Sequence, residues 1–122
     1  MQADTFQYKT FVTVGSTNAD YTTIQDAIDD LTNWGLIYPL DGTHALPTGW
    51  LLFKYNYTYI VGNWEWKCDL TFDGAVTPTA IKWNVTNLRQ CGIAGVNIIQ
   101  TNGTVQGTAI DMSDIALSVI EN

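Results

Sequence analysis

Between Val14 and Leu31 the chain reads VGSTNADYTTIQDAIDDL, a β-like run that breaks at Gly15 and hands over to a short amphipathic helix. Ile24, Ala27, Ile28 and Leu31 stand at i, i+3, i+4 and i+7, which gathers one apolar stripe on a helix able to cover something flat. Thr22 is the expected N-cap, with Gln25 reaching back to complete a capping box and Gly35 as the stop. The helix is expected over 22–34.

Composition narrows the classes that such a helix can serve. With 46% hydrophobic and 14% charged residues in 122 positions, this is one folded, β-rich domain rather than a disordered tail. Twelve acids against five bases give a net charge of -7. That balance repels a phosphate backbone and an anionic membrane surface, so neither nucleic acid nor membrane insertion is expected. No apolar run is long enough to span a bilayer, and the first ten residues lack the basic and apolar regions of a secretory signal.

Two stretches are expected: 1–49, an N-terminal strand (6–14), the helix and a Gly/Pro-rich connection over 35–49, and 50–122, a series of short strands. Trp64, Trp66, Cys68, Leu70 and Phe72 alternate with polar partners, which puts all five on the inner face of one strand. Similar runs recur at 81–85, 95–99, 109–112 and 115–120. Their offsets are 26 residues from Phe72 to Ile98, 21 from Ile98 to Val119 and 29 from Trp83 to Met112. Periods of that size suit a solenoid of two or three strands per coil, with roughly three coils after Trp50. An immunoglobulin-like sandwich also explains the alternation, but leaves the capped helix without a role. The apolar strand at Ile115–Ile120 has no polar capping segment after it, so a longer chain or a partner subunit is expected to complete the stack.

The run from Asp20 to Leu31 resembles the opening of the pectin-lyase-like β-helix proteins, a superfamily of pectin esterases, polysaccharide lyases and phage tailspikes. Leu51 to Lys54 with Tyr57, and Asp69 to Gly74, resemble an early strand and turn and a first full rung. The resemblance implies a mostly β, right-handed parallel β-helix with an N-terminal capping α-helix. It also implies trimeric assembly of the tailspike kind. The catalytic acids and basic residues of the related enzymes lie on coils further along, so no catalytic residue carries over.

The residues themselves offer little chemistry. Cys68 and Cys91 are 23 residues apart, about one coil, so they are expected to stack on neighbouring rungs, as free thiols or as a disulfide. Free thiols are favoured, since nothing fixes an oxidising compartment. Two cysteines and the single histidine, His44, are too few for a metal centre, and no cofactor is expected. No Gly-x-Ser-x-Gly elbow occurs, and Gly103 to Gly107 lacks the lysine end of a phosphate loop. Asp69 and Asp73 point the same way but lie roughly 13 Å apart along a strand, a poor glycosidase pair.

Aromatic residues point elsewhere. Phe53, Tyr55, Tyr57 and Tyr59 alternate, and an exposed ladder of rings suits stacking on sugars, although core or interface packing is the more ordinary role. Tyr55, Tyr57 and Tyr59 are therefore candidate glycan or interface residues, joined by Arg89, the only arginine in this sequence. The expected function is a non-catalytic virion module, tailspike or tail-fibre-like, located in a phage tail or extracellularly. Its expected partners are copies of itself, other virion proteins and polysaccharide. The alternatives are the N-terminal part of a polysaccharide lyase, hydrolase or esterase, and a secreted surface or filament subunit.

Overall fold

The computed structural model describes residues 10–31, 35–65, 67–83, 88–102, 107–111 and 115–120. Strand β1 (Thr10–Val14) and helix α1 (Ile24–Asp30) come first. Next come β2 (Gly35–Pro39), β3 (Gly42–Ala45) and β4 (Leu51–Phe53), then β5 (Thr58–Val61), β6 (Cys68–Phe72) and β7 (Thr79–Trp83). Strands β8 (Leu88–Ala94), β9 (Asn97–Gln100), β10 (Thr108–Asp111) and β11 (Ile115–Ile120) complete the order. They form three sheets, β1-β2-β5-β8-β11, β3-β6-β9 and β4-β7-β10, and every pairing between these strands is parallel. Successive triplets from β2 to β10 are successive coils, so the chain is a parallel β-solenoid of about three turns with one short helix near its N-terminus.

Register explains the core. Val12 pairs with Ile37, Ile37 with Ile60 and Ile60 with Ile93, which stacks β-branched side chains at the strand spacing of about 4.8 Å. Leu51 over Ile81 does the same in the third sheet. Ile37, Ile60, Leu51, Ile81, Leu70 and Phe53 are fully buried, and each such side chain contributes about 1.5–3 kcal/mol against exposure. Helix α1 lays buried Ile24, Ala27 and Ile28 against β1, β2 and β4, as the apolar stripe predicts.

The N-terminal end of the stack exposes three strand edges. At β1, Thr13 N–H donates to Asp20 Oδ2 (2.9 Å) and Tyr21 N–H donates to Thr13 O (3.1 Å). At β4, Leu52 N–H donates to Gln25 Oε1 (2.8 Å) and Gln25 Nε2 donates to Leu52 O (3.2 Å). One glutamine amide thus stands in for a missing strand. At β3, no described strand pairs beyond the edge.

Several local expectations are corrected. The N-cap is Thr23, whose hydroxyl accepts from Asp26 N–H (3.2 Å), and the amide of Gln25 goes to β4 rather than back to the cap. Leu31 is the C-cap. Gly35 instead begins β2, where a Cβ would lie 2.5 Å from Leu31 Cδ1. The stretch read as a connection holds β2 and β3. Trp64 is 52% exposed, because Asn63 Oδ1 accepts from Glu65 N–H (2.9 Å) and turns the chain before β6 begins at Cys68. Trp66 lies outside the described residues. Cys68, Leu70 and Phe72 are inward as expected.

Cys68 and Cys91 are free thiols and do not stack. Cys68 opens β6 in the β3-β6-β9 sheet and Cys91 lies in β8 of the five-stranded sheet. Asp69 pairs with Asn97, an offset of 28 residues, so a spacing of 23 falls one corner short of the next rung.

Candidate binding surface

The five-stranded sheet buries one face and leaves the other on the outside. Inward go Val12, Val14, Ile37, Ile60, Cys91 and Ile93. Outward, register places Phe11 beside Leu36 and Leu36 beside Tyr59, with Thr13 beside Tyr38 and Val61 beside Ala94. Phe11 is 58% exposed and its ring stacks on Tyr38 with centroids 6.1 Å apart and planes 28° from parallel. The other outward residues are half-buried, and none of the seven carries a charge. On a chain of net charge -7, these seven uncharged side chains, three of them aromatic, form a face bordered by the carboxylate of Asp20, which accepts from Thr13 Oγ1 (3.3 Å).

Of the aromatic candidates from the sequence, only Tyr59 belongs to this face. Tyr55 and Tyr57 occupy the corner between β4 and β5, where Tyr57 adopts a left-handed φ of 62° and its carbonyl accepts from Gly35 N–H (3.0 Å). Phe53 is fully buried, so the four rings do not form one ladder. The carbonyl of Tyr55 accepts from buried Thr58 Oγ1 (3.0 Å) and from Cys91 Sγ (3.3 Å), which ties the corner to the core. Arg89 pairs with Leu117 between β8 and β11, and its side chain lies outside the described residues. Phe11, Leu36 and Tyr38 were missed, although the alternation of Leu36 and Tyr38 about Ile37 was there to be read.

Other side chains with chemical potential are already engaged. Asp69 Oδ1 accepts from Asn97 Nδ2 one coil on (2.8 Å), and Asp73 Oδ1 accepts from Ala75 N–H (2.8 Å) in a turn. His44, on β3, donates Nε2–H to Leu40 O (2.7 Å), since a carbonyl can only accept. Burial, with the nearby charges of Asp69 and Asp41, pushes the Cys68 thiol up to about 12, so it is an inert thiol at neutral pH. Among the described residues, no three His, Cys, Asp or Glu side chains converge as metal ligands. Lys82 sits 4.2 Å above the Trp50 ring, a cation–π contact on a different sheet.

No protein-family model matches this chain, and neither a curated protein nor a solved structure matches it significantly.

Proposed function

We propose that this chain is a non-catalytic structural and adhesion module of a virion, a short β-helix of the pectin-lyase-like, tailspike or tail-fibre kind. The observation that carries this reading is the outer face of β1, β2 and β5, where Phe11, Leu36, Tyr38 and Tyr59 gather on an otherwise acidic chain. Tyrosine and phenylalanine bring a large rigid area at a small entropic cost, which suits both subunit packing and stacking on sugar rings. A solenoid holds such rings at fixed strand spacing, so the face is pre-organised before anything docks. The module works as a homo-oligomer, a trimer by its likeness to tailspikes, and touches polysaccharide through the rings left outside the contact.

Light scattering coupled to size-exclusion chromatography, followed by a glycan array on the assembled protein, tests this. Leu36→Asp is expected to dissociate the oligomer, and Tyr38→Ala with Tyr59→Ala to reduce glycan signal. A parent chain that is monomeric at all concentrations and silent on the array would overturn the reading. Release of new chain ends from a polyuronate by the purified chain would support the lyase or hydrolase alternative instead.

A further inference from the structure

The chain closes two of the three strand edges at its N-terminal end and leaves β3 different from both. Gly42 N–H donates to Lys67 O (2.7 Å) and Leu46 N–H donates to Thr71 O (2.9 Å), so residues 42, 44 and 46 face β6. The alternation of a parallel ladder then sends the N–H and C=O groups of Thr43 and Ala45 to the opposite edge. Thr43 and Ala45 line an open cleft of about 560 Å³, together with Gly15 to Thr17 and Thr22 to Ile24 from the segment between β1 and α1. Ser16, Thr17, Thr22 and Asp41 are among its lining residues, and the one ring among them is the imidazole of His44, already bonded through Nε2 to Leu40 O. A smaller hollow of about 150 Å³ adjoins it, formed by Ile24, Ala45, Leu46 and Pro47 with Thr23 and Gln25.

These parts have the spacing of a strand site. Five strand steps separate Asp41 from Leu46, about 16 Å of extended chain. Backbone donors and acceptors at Thr43 and Ala45 lie between an exposed carboxylate at one end and an apolar hollow at the other. Asp41 is the one carboxylate lining the cleft, and the net charge of -7 favours approach of a cationic segment. A cleft without phenylalanine, tyrosine or tryptophan in its walls but with a peptide edge recognises backbone better than sugar rings.

We propose that the cleft along β3 binds an extended peptide segment of a partner protein, added as a further strand. The segment carries a basic side chain beside Asp41 and a small aliphatic side chain in the hollow at Leu46 and Pro47. This site is separate from the aromatic face and stands or falls independently of the adhesion reading.

Fluorescence anisotropy tests it, using labelled seven-residue peptides of alternating threonine and valine with lysine at one end and valine at the other, in both orders. Saturable binding is expected for one order. Methylating one alternate set of peptide amides should weaken it at least about tenfold, and methylating the other set should not, because only one set faces β3. Ala45→Pro removes a donor from the free edge while sparing the ladder to β6, and is expected to weaken binding by a similar factor with an unchanged melting curve. Asp41→Asn should weaken the lysine peptide but not one with threonine in its place. Amide shifts in the nitrogen–proton spectrum of the parent chain should centre on Thr43 and Ala45. No saturation at millimolar peptide, equal binding by both methylated sets, or shifts centred elsewhere would overturn the proposal. Should Ala45→Pro fail to fold, the methylated peptides on the parent chain decide.

Discussion

Replacing Gln25 with methionine is the sharpest test of how the helix is joined to the solenoid. Methionine keeps the length and the helix propensity of glutamine, so the helix itself is little changed. What is lost is the pair of hydrogen bonds to the Leu52 backbone, at 2.8 and 3.2 Å, and a third from Nε2 to Asp29 Oδ1 at 3.0 Å. The two backbone bonds are part-buried and contribute about 1 kcal/mol each, while the exposed one to Asp29 adds less. The expected destabilisation is about 2 kcal/mol, equivalent to a fall in Tm of about 8 °C for a chain of this size. Urea unfolding measures the first, and hydrogen exchange of the Leu52 amide reports whether the loss is local. Glutamate at the same position keeps an acceptor for Leu52 N–H but turns an anion toward Leu52 O and Asp29, so it should be no better than methionine at neutral pH. A shift below about 0.5 kcal/mol with Leu52 still protected would refute the idea that this amide closes the edge of β4.

Three further outcomes concern the corners, the buried thiol and the acid limb of stability. A Cβ on Gly62 would lie 2.6 Å from Gly95 O, and one on Gly95, at φ +70°, would lie 2.6 Å from Gly62 O. Gly62→Ala should cost about 1–3 kcal/mol and Gly95→Ala about 2–4 kcal/mol in chemical denaturation, with the pair non-additive because the two corners touch. Cys68, buried and with its thiol pushed up to about 12, should resist iodoacetamide in the native state and react once the chain is unfolded in urea, as followed by mass spectrometry. Burial tends to raise the pKa of Asp29, but hydrogen bonds from Lys54 (2.7 Å) and Gln25 outweigh it and hold the carboxyl below its ordinary 3.8. Its contribution is therefore present above the unfolded-state pKa and lost as pH falls through the folded one, and Lys54→Met should flatten that acid limb in pH-dependent melts. The effect should be small and salt-sensitive, because both side chains are more than a third exposed to solvent, 34% for Lys54 and 43% for Asp29.

The parts of this fold that were legible in the sequence are those set by short-range period. The stripe from Ile24 to Leu31 and the alternation from Cys68 to Phe72 are read directly from spacing, and both are buried as read. The offset of 29 from Trp83 to Met112 equals the register that pairs Ile81 with Ile110, whereas the other two offsets join positions that do not pair. Solenoid corners defeated the reading, because alternation continues through them in sequence while the backbone turns. Tyr57 holds a left-handed corner without being glycine or asparagine, so nothing local separates Tyr55 and Tyr57 from Tyr59. Asn63 ends one alternation early by capping a turn. The N-cap slipped by one position because Thr22 and Thr23 are chemically equivalent, and only tertiary contact decides that Gln25 serves β4. The aromatic face was half legible: Tyr59 was singled out, but Phe11, Leu36 and Tyr38 join it only through the register of β1, β2 and β5.

The closing of β1 by Asp20 and Tyr21, and of β4 by Gln25, bears on how such chains keep from fusing. A stack of parallel rungs is a seed for fibre growth wherever a rung ends naked, since identical molecules can extend the ladder indefinitely. Among the described residues, a second molecule arriving at this pole would meet one ribbon out of three without a closing contact, so simple continuation of the stack is opposed at two of its three sheets.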